Sequence, residues 1–427
     1  MSTVRIIPSR ASGIIPAPPS KSMAVRALIC AALAEGESRI GNLLLSEDIQ
    51  AAVSALRSFG AGISYDAAGS TAAVTGADLS RPSVSAVIDC RESASVLRFM
   101  IPLCLLRGGR VRLTGSRRLF ERPLDVYEDL FKQDGIYYRK TERGIELEGK
   151  LAGGDYTVRG DISSQFITGL LLALPASGKE SSITVTGRVQ SRPYIAMTLQ
   201  MQELFGVSVK AEETAEAVRY RIGGECVYRN AVYETEGDWS NAAYLDLLNI
   251  PGTGCLQIAG LNGDSLQGDR IYRDYYERIK RYDPAGWQGA AVSRAADMPS
   301  LDISDCPDLG PALIAAAALC HGAVLTGTAR LAFKESDRGR AMAEELTKCG
   351  IGITVNEDSI IVPDCPLKAP AVPLSGHNDH RIVMALSALA SAAGGVIEGA
   401  EAVKKSFPGY FEIIGKAGID LRKVRTP

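Results

Sequence analysis

The chain has 427 residues, 46% hydrophobic and 22% charged, with 47 Lys and Arg against 49 Asp and Glu. That length exceeds one ordinary core and leaves room for two or three domains, in the composition of a soluble globular protein. A net charge of −2 lacks the basic excess of a nucleic-acid binder, although the total leaves room for a local basic pocket.

Six apolar runs follow one another in chain order: ALICAALAEGESRIGNL, LRFMIPLCLLRGGRVRLTG, ITGLLLALPASGKESSITVTG, AYLDLLNIPGTGCLQIAG, LIAAAALCHGAVLTG and IVMALSALASAAGGVIEG. Each is too long for a strand and predicts a nearly buried helix. The glycine after it fits a helix C-terminus. The short β-branched segments that follow, such as VRLTG, SITVTG and AVLTG, predict strands. Second helices are predicted over 46–57, 125–131, 194–205, 269–279, 337–348 and 410–414, and a closing strand such as GITVNEDSIIV ends most units. The polar motifs leading into the apolar runs begin near Ser20, Arg91, Asp161, Asp238, Cys306 and Asn378, roughly 70 residues apart. Self-similarity at a fixed period implies one supersecondary unit used six times, an α/β pattern of three units per domain.

The nine cysteines are scattered, form no CxxC pair and lie mostly in apolar stretches, which predicts reduced, buried thiols in a cytoplasmic protein. His321, His377 and His380 are the only histidines, too few to suggest a metal cluster. The first 22 residues hold no apolar run of signal-peptide length, and the run at 312–320 is far short of a membrane span.

Helix N-termini attract anions through free N–H groups and the helix dipole, and the chemistry-bearing residues cluster at the predicted helix starts. Pro18-Pro19-Ser20-Lys21-Ser22 puts Lys21 and, one turn on, Arg26 at the first of them. A lysine there opposes the dipole, so it is either a solvated loop residue or a ligand for an anion. Arg91-Glu92-Ser93-Ala94-Ser95 is a small-residue helix start that lets a ligand approach backbone N–H groups. Arg122, in Glu121-Arg122-Pro123, is either half of a surface salt bridge or a bidentate anion ligand. In Ser163-Ser164-Gln165-Phe166 one serine is needed as a cap, which leaves a hydroxyl and an amide. Ser191-Arg192-Pro193-Tyr194 offers a similar mixture. Asp308 is either an N-cap or a general base. Lys334-Glu335-Ser336-Asp337-Arg338 is either a solvated helix face or an anion site that also moves protons. His377-Asn378-Asp379-His380-Arg381 runs straight into an apolar helix, and Lys404-Lys405-Ser406-Phe407-Pro408 adds a last cation near the C-terminus.

Taken together, PSKSxxxR at 19–26, LR at 97–98, ERP at 121–123, SSQF at 163–166, SRPY at 191–194, PDL at 307–309, KESDR at 334–338, NDHR at 378–381 and KSFPGYF at 405–411 resemble the EPSP synthase family of enolpyruvyl transferases, in the family's order. The resemblance implies an inside-out α/β barrel fold of two similar domains, each of three repeated units. One domain would be discontinuous, 1–19 plus 236–427, the other 20–235, with the active site in the cleft between them and closure on the substrates. It implies transfer of the enolpyruvyl group of phosphoenolpyruvate to shikimate 3-phosphate by addition and elimination, in a monomer without metal or organic cofactor. Lys21, Ser22, Arg26, Ser163, Ser164, Ser191, Tyr194, Asp308 and Lys334 would bind shikimate 3-phosphate. Lys21, Ala94, Arg122, Gln165, Arg338, Arg381 and Lys405 would bind phosphoenolpyruvate. Asp308 would take the hydroxyl proton, and Glu335 with Lys21 would handle the proton at C3. Several cations suit the two substrates' charge of about −5.

Two positions depart from the family's pattern. Ala94 stands where glycine is usual, and the methyl implies weakened binding of glyphosate with phosphoenolpyruvate still usable. Arg330 stands where many relatives have asparagine, and no role for Glu92 follows from the resemblance. The alternatives are a UDP-N-acetylglucosamine enolpyruvyl transferase, whose KNAxLP-like start and reactive Cys loop are not seen in this sequence, and a non-catalytic phosphate-binding relative, against which Lys21, Asp308 and Glu335 argue.

Overall fold

In the computed structural model, which describes residues 2–81, 83–250, 254–282 and 298–424, the six apolar runs begin helices buried almost all round. These are Lys21–Leu33, Ala94–Leu106, Ser164–Ala173, Trp239–Asp246, Gly310–Leu319 and His380–Ala393. A helix apolar on every face has no side to give to water, so it becomes a core. Four of them start at side-chain caps: Ser20 accepts from Met23 N, Ser163 from Gln165 N, Asp238 from Asn241 N and Asp379 from Arg381 N.

The second helices are Glu47–Phe59, Asp125–Gln133, Arg192–Leu204, Tyr272–Arg281, Arg338–Lys348 and Tyr410–Lys416. Each lies within a few residues of its predicted span. The third begins at Arg192 rather than 194 because Pro193, with its fixed φ, fits the first turn. The fourth begins at Tyr272 because Gly268–Ile271 forms a tighter 3-10 turn.

The repeat is also written in the strands. Five sheets share one order: a parallel edge strand, a central strand, and two antiparallel strands beyond it. In one of them Ser83–Asp89 pairs parallel with Gly109–Thr114, which pairs antiparallel with Gly144–Glu148, itself antiparallel to Tyr137–Thr141. A parallel pair needs a crossover, and the buried helix Ala94–Leu106 supplies it. Two of the five sheets are completed from distant sequence. Val232–Glu234 is the parallel partner of Glu37–Gly41, and Thr3–Ile7 takes the third place beside Gly395–Glu398 and Asp420–Val424. The sixth sheet pairs Ser12–Pro16 with Cys255–Ala259, its only described strands. The sheets stay separate, and none closes into a barrel among the described residues.

Two compact units result, one of residues 1–18 with 237–427 and one of residues 19–236, each with its own apolar core. In the 19–236 core, Pro102 sits inside a helix and cannot donate to the carbonyl of Arg98 four residues earlier. The buried Tyr127 hydroxyl donates to that carbonyl instead, at 2.8 Å. Gly169 makes the approach possible, because a Cβ there would meet the Tyr127 hydroxyl and lie 2.8 Å from the same carbonyl. All nine cysteines are free thiols, five of them buried and Cys255 exposed. Among the described residues no helix is long and apolar enough to cross a membrane.

Candidate functional site

In the 19–236 unit Lys21 is the first residue of its helix, and its ammonium lies 2.6 Å from Asp48 Oδ2. Asp48 stands in the first turn of Glu47–Phe59, behind the Ser46 cap. The carboxylate offsets the unfavourable dipole that Lys21 meets. Lys21 is therefore not a loop lysine. Asp48 was missed in the sequence because an acid in a first turn is what ordinary capping also produces.

Arg26 is buried. It donates from Nε to Thr198 Oγ1 at 2.8 Å, from Nη1 to the Ser22 carbonyl at 2.8 Å and from Nη2 to the Tyr194 carbonyl at 3.0 Å. Burial pushes its pKa down to about 10, against the pull of Tyr194. Arg26 thus ties Ser22 to Tyr194, two expected ligands of one substrate. Ser191, one turn before Tyr194, is buried with φ 56 and ψ 38, a left-handed conformation that is strained for serine and typical of functional positions.

Gln165 is not the free amide expected, since its Oε1 accepts from Arg98 Nη1 at 2.7 Å. Arg98 also donates from Nη2 to the Pro123 carbonyl at 3.0 Å, so it links Gln165 to the stretch that carries Arg122. Arg122 itself is 5% exposed, which removes the surface salt-bridge reading. Ser163 caps as expected while Ser164 is buried behind it. Ala94 is the first residue of its helix and 8% exposed; Ser93, ahead of it, makes no side-chain cap bond. Glu92 is exposed.

In the other unit Asp308 does not cap. It sits in the 3-10 turn Pro307–Leu309, and no side-chain cap bond is made at the helix that follows. Its Oδ1 accepts from Lys334 Nζ at 3.0 Å and Arg338 Nη1 at 2.9 Å, and its Oδ2 from Arg381 Nη2 at 3.0 Å. Tyr244 steadies the turn by donating to the Asp308 carbonyl at 2.8 Å.

Arg338 is 1% exposed, so the charged run is no solvated face. Beyond Asp308 it donates from Nη2 to Glu335 Oε2 at 2.7 Å and from Nε to Asp379 Oδ2 at 2.9 Å. Burial opposes its charge, but Asp379, Glu335 and Asp308 outweigh this and hold the guanidinium firmly protonated. Burial likewise opposes the charge on Asp379, and Arg338 more than offsets it, so this carboxyl stays below its ordinary range. Lys334 goes the other way: burial lowers its pKa despite Asp308. Asp379, absent from the expected site, is fully buried and also caps the His380–Ala393 helix. Lys405 donates to the Asn378 carbonyl at 2.6 Å, and Arg330, on the turn leading to Lys334, donates to the Ser304 carbonyl at 2.6 Å.

Each unit thus gathers its share of the expected residues at helix starts. One collects hydroxyls, an amide and cations. The other collects three carboxylates around Arg338, with Lys334 and Arg381 on one of them, Asp308, and Lys405 on the neighbouring turn. Donor sets of this kind are suited to carboxylate and phosphate groups, and carboxylates such as Asp308 and Glu335 are chemically able to take up and return protons.

The model of the family EPSP synthase (3-phosphoshikimate 1-carboxyvinyltransferase) matches residues 6–414. The 3-phosphoshikimate 1-carboxyvinyltransferase of Clostridium kluyveri is 40% identical, over 99% of this chain and 98% of its own. That of Clostridium perfringens strain ATCC 13124 is 36% identical, over 96% and 97%. Among solved structures, EPSP synthase from Acinetobacter baumannii aligns with a TM-score of 0.76 at 22% identity over the whole of both chains. The enolpyruvyl transferase NikO from Streptomyces tendae aligns at 0.72 and 18%, over 100% of this chain and 99% of its own. At such identities these two describe the fold alone.

Proposed function

The chain belongs to the EPSP synthase family, and on that premise we propose how its residues move the enolpyruvyl group of phosphoenolpyruvate to the 5-hydroxyl of shikimate 3-phosphate. Lys21, Ser22, Arg26, Ser163, Ser164, Ser191, Tyr194, Asp308 and Lys334 are assigned to shikimate 3-phosphate. Arg26 also holds the Ser22 and Tyr194 carbonyls and Thr198 through three of its five N–H donors. Lys21, Ala94, Arg122, Gln165, Arg338, Arg381 and Lys405 are assigned to phosphoenolpyruvate.

In the addition step the hydroxyl oxygen bonds to C2 of phosphoenolpyruvate, its proton passes to Asp308, and C3 gains a proton from Glu335, with Lys21 assisting. In the elimination step C3 returns a proton to Glu335, the double bond re-forms and phosphate leaves from C2, taking up the proton held by Asp308. The cations stay charged throughout, so they stabilise carboxylate and phosphate at every stage. The observation that carries this reading is the sharing of Asp308 among Lys334, Arg338 and Arg381. It supports a carboxylate set among the groups that grip substrate anions, where a simple cap would have one backbone bond.

Phosphate release from the two substrates together tests the assignment. Turnover with shikimate 3-phosphate, and none with UDP-N-acetylglucosamine in its place, is the expected result. Release only with the nucleotide sugar, or with neither acceptor, would reject it. Ala94 is proposed to weaken glyphosate binding. The enzyme is proposed to act in the cytoplasm, a reducing compartment that suits nine free thiols, and as a monomer.

A further inference from the structure

Arg338 and Glu345 lie seven residues apart on the Arg338–Lys348 helix, hence on one face, and each is 1% exposed. Both reach the stretch 375–379. Arg338 holds the Asp379 carboxylate, from Nε to Oδ2 at 2.9 Å and from Nη2 to Oδ1 at 3.3 Å. Two turns along, Glu345 Oε2 accepts from Ser375 N at 2.8 Å and Oε1 lies 2.8 Å from His377 Nε2. Lys348 donates to both Glu345 oxygens, at 2.9 and 2.8 Å. Burial opposes the Glu345 charge, but His377, Lys348 and Ser375 outweigh it and hold the carboxyl below its ordinary range.

Between the two anchor points the backbone passes through two left-handed residues, His377 at φ 47 and Asn378 at φ 50. Neither is glycine, so both conformations are strained and need external support. The shape they impose matters, because the Asn378 carbonyl receives Lys405 Nζ at 2.6 Å and Asp379 receives Arg338.

We propose that Glu345 and His377 form a clasp that holds the 376–379 turn in its left-handed shape and so positions Lys405 and Arg338 for phosphoenolpyruvate. Both are positioning residues, with Glu345 about 10 Å along the helix from Arg338. The proposal rests on the assignment of Arg338 and Lys405 to that substrate. Glu344, Glu345 and His377 do place three potential ligand atoms within 4.8 Å of one another, as a cation site would. The Lys348 ammonium, however, already sits on both Glu345 oxygens and would repel a metal ion there. A clasp uses that ammonium as its counter-charge.

The test is steady-state kinetics with each substrate varied in turn, together with melting temperatures, for His377→Leu, Glu345→Gln, His377→Gln, His377→Gly and Lys405→Met. For His377→Leu and Glu345→Gln the KM for phosphoenolpyruvate should rise roughly tenfold or more, the scale of small misplacements of binding groups. The KM for shikimate 3-phosphate should stay within about twofold. His377→Gln keeps a donor at the same reach and should restore most of the loss. His377→Gly also removes the clasp but takes the left-handed backbone without strain, so it should raise the KM for phosphoenolpyruvate less than His377→Leu does. Lower melting temperatures with both KM values unchanged, or both raised equally, would mean a merely structural contact and overturn the proposal. Lys405→Met separates the premise from the clasp. If it raises the KM for shikimate 3-phosphate instead, the assignment fails and takes the proposal with it. If it raises the KM for phosphoenolpyruvate while the clasp variants do not, the clasp alone fails.

Discussion

Arg338 donates from Nη1 to Asp308 Oδ1 at 2.9 Å, so the proposed base and a fully buried guanidinium neutralise each other. Lys334 and Arg381 complete the shell around the same carboxylate. On the proposed assignment, an incoming carboxylate or phosphate would compete with Asp308 for these donors, and that competition would link substrate binding to the freeing of the proposed base.

Asp308→Asn keeps the shape of the side chain and removes the proton acceptor. The kcat should fall about 10²- to 10⁴-fold, the usual worth of a positioned acid or base. The KM for phosphoenolpyruvate should not rise, because Arg338 and Arg381 lose a competitor. Full kcat in the variant would overturn the base assignment.

Burial lowers the proton affinity of Lys334, so its ammonium is lost at a lower pH than that of an ordinary lysine. The alkaline decline of kcat/KM for shikimate 3-phosphate should follow this loss. Lys334→Arg, which stays charged at any working pH, should move the decline upward if the variant remains active. A decline at the same pH in both proteins would clear Lys334 of the role.

Asp269 is 3% exposed, and burial, followed by the neighbouring charge of Asp308, raises its pKa to about 6. The unfolded value is about 3.9, so the folded protein binds this proton more tightly. The resulting stability is present below about pH 4 and is lost as pH rises through about 6. Asp269→Asn should therefore gain on the parent between those values, by about 3 kcal/mol at most for a shift of about two pH units. Parallel denaturation midpoints for the two proteins across pH 4–7 would contradict this.

Tyr127→Phe leaves the Arg98 carbonyl, already deprived of its helical donor by Pro102, without the bond it receives at 2.8 Å. Stability should drop by about 1–3 kcal/mol, the cost of a buried polar group left unmade. Denaturant unfolding measures it, and a change below about 0.5 kcal/mol would mean that the carbonyl finds another donor.

Ala94→Gly removes the methyl at the first position of the Ala94–Leu106 helix. The glyphosate inhibition constant should fall roughly ten- to hundredfold, as a single methyl in a tight site can discriminate. The KM for phosphoenolpyruvate should change far less. An unchanged inhibition constant would place the source of any resistance elsewhere.

The fold was legible to a large degree because its signals are local. An apolar run with no polar face can only be a buried helix, and six of them at one spacing declare the repeat. Ser20, Ser163, Asp238 and Asp379 could be sensed as helix starts because caps act on residues two or three positions away. The partners of these residues were not legible. Asp308 by itself read equally as a cap or a general base; only the folding of Lys334, Arg338 and Arg381 onto it, from 26, 30 and 73 residues away, made it the centre of a charge network. Asp48 beside Lys21, Arg98 beside Gln165 and Glu345 beside His377 are likewise long-range pairs with no sequence period to reveal them. The sequence by itself determined which residue types would stand at the helix starts. The tertiary structure alone decided which of them neutralise one another, because charge interactions depend on distance through space and on burial, and neither is written in the order of residues.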